Sequence, residues 1–253
     1  MRRAVPICLL ALVLGHLTPP AMGAAERYRA WAGGLISEWE KNGTHERGAD
    51  VTELELAGLR LFMTYDEVTE RLEASGRPFE ISALRRVPCL YDRIDRALAG
   101  AATGAGCIDY LELTLDLGDG AREHVKADLG EDVYDAPGTS MIVGIEYTKD
   151  YGGKAVELDD AYREIADKYG HEPDYPHLRY YIGHVAKLDA YPHVEPEWRL
   201  PYLRMYLGSV SPITRYSLVL SAGEALRADL EGEADRLVRE ATPVPEFRLP
   251  WGM

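Results

Sequence analysis

Between Ile108 and Leu117 apolar and polar residues alternate without a break. Leu111, Leu113, Leu115 and Leu117 fall on one side of an extended chain, and Tyr110, Glu112, Thr114 and Asp116 on the other. Successive side chains of a strand point to opposite faces, so the spacing predicts a strand with one sealed side and one wet side. Gly118-Asp119-Gly120 then carries a tight-turn signal, and Arg122 to Leu129 can return as a second strand. A third strand is expected over Ser140 to Thr148, with Met141, Val143, Ile145 and Tyr147 on one side.

Helical spacing appears on both sides of these strands. Trp31, Leu35 and Trp39 form a stripe in a helix expected from Tyr28 to Trp39, ahead of a polar linker over 41–50. Thr64 and Glu67 make a capping box for a helix that buries Val68 and Leu72 and stops at Gly76, with Pro78 just beyond. A short strand over 58–63 leads into it. Ile81 to Ala99 is ambiguous: Ile94, Ala97 and Leu98 suggest a short helix whose start Pro88 limits.

Leu158 to Tyr169 reads as a helix with Leu158, Tyr162, Ile165 and Tyr169 on one stripe, stopped by Gly170. Prolines punctuate 173–201, leaving Arg179 to Leu188 as its regular part. Tyr202 to Leu207 and Arg215 to Leu220 are two more strands, with Ser211-Pro212 as the turn between them. A helix over Gly223 to Glu240 turns Leu226, Leu230 and Leu237 inward. The order fits an α+β protein, an antiparallel sheet with helices packed on one face.

The first 23 residues have the layout of a signal peptide. Arg2 and Arg3 precede an apolar core, Ala4 to Leu17, and Ala21-Met22-Gly23 supplies small residues for cleavage. No small-residue-Cys pair closes the segment, which argues against lipid anchoring. No later apolar run reaches the ~18 residues a membrane helix needs, so stable membrane insertion is not expected. The expected organisation is a signal peptide (1–23), an N-terminal helix and linker (24–50), an α+β domain (51–241) and a Pro-rich tail (242–253). The mature product is expected in the periplasm or outside the cell.

Charge and cysteine usage narrow the class. The whole chain carries a net charge of −14, which becomes about −16 without Arg2 and Arg3. Such acidity disfavours nucleic acid and anionic lipid, which select clustered Lys and Arg. Cys89 and Cys107 remain after cleavage and, in an oxidising compartment, are expected to pair around the Gly-rich 100–106 loop. By chain entropy that bond contributes roughly 3 kcal/mol. Metal ligation or a catalytic thiol is the weaker reading, lacking a companion Cys or a nearby His.

The stretch Leu59-Arg60-Leu61-Phe62-Met63-Thr64, with Glu67-Val68, Leu72 and Gly76, resembles a signature of the BLIP/BamE-like fold. That group includes the SmpA/OmlA outer-membrane-assembly lipoproteins, β-lactamase-inhibitor proteins and many other exported proteins. Tyr162-Arg163-Glu164-Ile165 leading to Lys168-Tyr169-Gly170 resembles a second recurring feature of such members. Phe62 stands where the signature commonly has Gly, and the missing Cys at the cleavage site departs from the lipoprotein branch. The resemblance implies an exported α+β module that binds protein or envelope components without catalysis.

Catalytic motifs are thin. There is no Gly-x-Ser-x-Gly elbow, no His-Glu-x-x-His and no phosphate loop, since the 100–106 loop lacks Lys and leads into a strand. His171, His177, His184 and His193 lie near Glu172, Asp174 and Glu195, but without helical i, i+4 spacing, so surface histidines are favoured over a metal site. Turn and helix-start positions account for Asp116, Asp119, Asp159 and Asp160. No cofactor or metal is expected.

Tyrosine is the most specific surface feature. Eleven of sixteen fall between Tyr147 and Tyr216, in a chain with three Phe. Parity sets Leu203, Met205 and Leu207 on the core side of their strand and Tyr202, Arg204 and Tyr206 opposite. With Tyr110, Glu112 and Arg215 these define an expected binding face for a protein partner, because Tyr and Arg carry binding energy at interfaces. The bland alternative is a half-wet sheet with cross-strand tyrosine packing. An enzyme using Asp, Glu and His184 or His193 in a cleft, or a purely structural envelope protein, are the competing functional readings.

Overall fold

The computed structural model describes residues 26–31, 51–100, 104, 106–169, 202–206 and 212–242. They comprise helix α1 (26–31), α2 (Tyr65–Ala74), β1 (Phe79–Val87), α3 (Leu90–Ala99), β2 (Cys107–Gly118), β3 (Ala121–Glu131), β4 (Ser140–Asp150), α4 (Leu158–Tyr169), β5 (Tyr202–Tyr206), β6 (Arg215–Ser221) and α5 (Glu224–Ala241). The six strands form one sheet in the order β1-β2-β3-β4-β6-β5, every pair antiparallel. This is an α+β architecture. The elements expected over 1–25, 32–50, 170–201 and 243–253 lie outside the described residues, as does the Ser211-Pro212 turn in part.

The alternation in β2 is carried across the sheet by register. One row reads Leu84, Leu111, Ala127, Ile145, Leu220, Leu203, and the next Ile81, Leu113, Val125, Tyr147, Leu218, Met205. Leu111, Leu113, Val125, Ala127, Tyr147, Leu218 and Leu220 are completely buried. The hairpin from β2 to β3 closes with Gly118 opposite Ala121, and Asp119 (φ 54°) and Gly120 (φ 80°) both turn left-handed. That is the geometry of a two-residue primed turn, whose twist suits antiparallel strands.

The capping box of α2 is present. Thr64 N donates to Glu67 Oε2 at 2.6 Å, Glu67 N donates to Thr64 Oγ1 at 3.3 Å, and Val68 and Leu72 are buried. The strand expected just before it is absent. Leu56 and Leu59 bridge around a turn at Ala57 and Gly58, and Phe62 adopts φ 68°. Left-handed backbone at Phe62 interrupts extension. The segment is held instead by two bonds to β4, Phe62 N to Ile142 O and Ile142 N to Met63 O, both 2.8 Å. The buried Phe62 ring stacks on Tyr28 of α1, centroids 5.8 Å apart.

The ambiguous 81–99 stretch resolves into an edge strand and a helix. Ser82 is an extra residue between Ile81, paired with Leu113, and Ala83, paired with Glu112; a second irregularity falls between Arg85 and Arg86. The extra Ser82 shifts the period of two within β1, so its sequence shows no clean alternation; at the second irregularity the extra residue, Asp109, lies in β2.

The expectation of helices on one face is corrected. α4 and the end of α2 lie on the leucine side: Glu164 and Lys168 of α4, and Arg77 just after α2, reach Lys149 and Glu123 of the row Leu115–Glu123–Lys149–Tyr216. α5 lies over one end of the opposite side. Its Arg227 Nη2 is 3.1 Å from Asp128 Oδ2 and covers Gly144, and Asp128 pairs with Gly144 and Tyr110 in a polar row. A Cβ at Gly130 would stand 3.3 Å from Leu230 Cδ1 and 3.1 Å from Val143 Cγ1, so the missing side chain lets α5 approach. α3 supports α5 through the Arg93–Asp235 ion pair.

Candidate functional site

Beyond the footprint of α5, the polar side of the sheet carries three cross-strand rows. The first runs Glu112, Lys126, Glu146, Val219, Arg204; the second Thr114, His124, Thr148, Ser217, Tyr206; the third Asp116, Arg122, Asp150, Arg215. Charges of opposite sign face one another in the first and third rows, the arrangement that stabilises neighbouring strands. Lys126, Glu146, Asp116, Arg122 and Arg215 are exposed, while Thr114, His124, Thr148 and Ser217 are half-buried between them. The middle row is tied by hydroxyls: Thr114 Oγ1 lies 3.0 Å from His124 Nδ1, and Thr148 Oγ1 is 2.7 Å from Ser217 Oγ.

The expected site residues separate into three groups. Tyr110 and Glu112 do sit on this side, the Tyr110 hydroxyl donating to Glu112 Oε2 at 2.9 Å. Burial, then the bond to Glu112, raises the Tyr110 pKa. The Arg85 guanidinium stacks over the same ring at 5.5 Å and its Nε donates to Asp109 at 2.9 Å. Arg215 is exposed opposite Asp150. Tyr202, Arg204 and Tyr206 are fixed by backbone register alone, opposite Ser221, Val219 and Ser217; their side chains lie outside the described residues.

Three of the eleven tyrosines from Tyr147 to Tyr216 belong to the interior instead. Tyr147 and Tyr216 are completely enclosed beneath α4, and Tyr151 nearly so. The Tyr147 hydroxyl donates to Glu123 Oε1 at 2.8 Å, and Tyr151 and Tyr216 donate to Glu164 at 3.0 and 3.4 Å. Arg77 and Lys168 pair with Glu123, and Lys149 with Glu164. Burial lowers the Lys168 pKa, against the pull of Glu123. A tyrosine can bury its ring and satisfy its hydroxyl on a carboxylate, which makes this cluster an internal polar network.

A cleft of about 340 Å³ opens where α5 and α3 meet the sheet. Its floor is Val133, Val143, Leu129 and Leu230, and its rim carries Arg85, Asp109, Asp128 and Arg227. The rim charges are already matched, Arg85 with Asp109 and Arg227 with Asp128. No histidine lines it among the described residues. Glu131, which accepts from Leu90 and Gly138 N–H, and Glu231 also line the cleft.

Cys89 and Cys107 form a disulfide, Cα atoms 5.0 Å apart. Their sulfurs and Glu131 are the one group of three potential metal donors among the described residues, but the bond between the sulfurs removes both thiolates. Burial raises the Glu131 pKa, against the bonds from Gly138 and Leu90 N–H. His171, His177, His184 and His193 lie outside the described residues.

The face residues that sequence reading missed are Arg122, His124, Lys126, Glu146 and Thr148. The signal was present in β3, where Arg122, His124, Lys126 and Asp128 alternate with Glu123, Val125, Ala127 and Leu129. No helix among the described residues is long and apolar enough to cross a membrane. Comparison with protein-family models, with curated proteins and with solved structures returns no match.

Proposed function

We propose that this chain is an exported, non-catalytic protein-binding module whose docking surface is the polar side of the sheet. The observation that carries this reading is the set of three rows that no described helix covers, with exposed ions bracketing a half-buried hydroxyl and imidazole row. Strands present such side chains on a rigid frame, so little ordering cost falls on the partner contact. Alternating charge favours a partner with a complementary pattern over one of a single sign, because mismatched like charges are penalised. The BLIP/BamE-like resemblance of the α2 segment, and the signal-peptide layout of 1–23, agree with an envelope location.

The test is affinity capture from an envelope extract with the wild-type chain and with Arg122→Glu/Lys126→Glu. The reading expects one or more discrete partners that the double variant loses while its denaturation profile stays near wild type. Equal capture by both proteins would remove the polar side as the docking surface.

A further inference from the structure

The outer edge of β1 ends the sheet, and none of the described residues hydrogen-bonds to it. Its phase is fixed by Asp116 N donating to Pro78 O at 3.1 Å, which makes Phe79–Leu115 a pair flanked by ladder bonds rather than joined by them. The backbone groups of Phe79 and Ile81 therefore point away from β2. After the extra residue Ser82, the same alternation turns those of Leu84 outward. An unpaired edge of this kind is a template for another strand.

The side chains on this edge are unusual for one exposed to water. Ile81, Leu84 and Val87 are each 38% exposed, and Ile81 and Leu84 continue the leucine rows of the core. Glu80 and Arg85 lie on the other side, in the rows of Thr114 and Tyr110, and are exposed.

We infer that β1 pairs with β1 of a second copy of this chain, antiparallel, about a two-fold axis perpendicular to the sheet between Ser82 and Ala83. That register sets Ile81 of each copy against Leu84 of the other on the leucine side. It also sets Glu80 of each copy against Arg85 of the other on the polar side. Both matches occur twice, as an isologous contact requires. The outward backbone groups meet, the apolar residues leave water, and the charges complement one another in one register. A one-residue slip would put Ile81 and Leu84 on the wrong sides. The Ser82 bulge, which otherwise discourages edge pairing, falls at the axis in both copies.

Native mass spectrometry and sedimentation of the full chain at about 50 µM test this, a concentration at which a micromolar contact is filled. The wild type is expected to be dimeric. Glu80→Arg alone opposes Arg with Arg, and Arg85→Glu alone opposes Glu with Glu; each is expected to weaken the dimer by about tenfold or more. An equimolar mixture of the two variants restores both charge pairs and is expected to give a dimer holding one copy of each. A monomeric wild type, single variants that dimerise like the wild type, or a mixture that stays monomeric would each overturn the proposal. Restoration in the mixture also shows that both variants are folded.

Discussion

The hydroxyl of Tyr147 donates to the carboxylate of Glu123 at 2.8 Å beneath α4, where both residues are enclosed. Contacts of this kind enclose Tyr147, Tyr151 and Tyr216, while Tyr91 and Tyr134 stay exposed. Removing the hydroxyl leaves Glu123 short of a donor that no water can replace. Tyr147→Phe is expected to cost about 1–3 kcal/mol in urea denaturation, without change in fold. A neutral result would show that Arg77 and Lys168 alone satisfy the carboxylate.

The buried hydroxyls also set an alkaline limit. Burial, followed by Glu164, raises the Tyr151 pKa. Burial and the Asp132 bond raise Tyr28 as well. A phenol whose folded pKa exceeds its unfolded value of about 10 contributes stability that is complete below pH 10. That contribution falls as pH rises toward the folded values. Stability is therefore expected to decline from about pH 10 upward, with the share of tyrosinate absorbance due to Tyr28 and Tyr151 appearing only together with unfolding. Ionisation of these tyrosines near pH 10 in a folded protein would contradict the assignment.

Phe62 combines a left-handed backbone, φ 68°, with a buried ring against Tyr28. Phe62→Gly relieves roughly 1–2 kcal/mol of backbone strain but loses about 3–5 kcal/mol of packing. The net expectation is a loss of about 2 kcal/mol by thermal or chemical denaturation. A more stable variant would mean that the ring contact contributes little.

Gly130 tests the placement of α5. Gly130→Val introduces side-chain carbons where Val143 and Leu230 already stand, within 3.1–3.3 Å of the first of them. Overpacking of this kind costs about 1–3 kcal/mol, and here it is expected to loosen α5 and speed amide exchange along it. Unchanged exchange in α5 would place that helix elsewhere.

How far the sequence carried depends on whether local pattern or tertiary placement decided each element. The β2–β3 hairpin and α4 were legible, the first from alternation and Asp119-Gly120, the second from its stripe and a glycine stop. β1 was hidden by the Ser82 bulge and by Arg85 and Arg86, which break the period of two. For α5 the inward leucines Leu226 and Leu230 were read, yet parity within a helix does not say which side of a sheet it covers. Only the Arg227–Asp128 contact and the bare backbone at Gly130 and Gly144 settle that. Of the expected site, Tyr110, Glu112 and Arg215 share the polar side, and Tyr202, Arg204 and Tyr206 join it by register.

Docking on the polar side of the sheet is tested most directly by a photo-crosslinking amino acid placed at Lys126, in the first row between Glu112 and Glu146, with the same reporter at Glu73 on the exposed side of α2 as control. In envelope extract the reporter at position 126 is expected to form a discrete crosslinked species that unlabelled wild-type protein competes away, and the reporter at position 73 none. Equal yields from both positions, or a product at position 73 alone, would contradict docking on that side of the sheet.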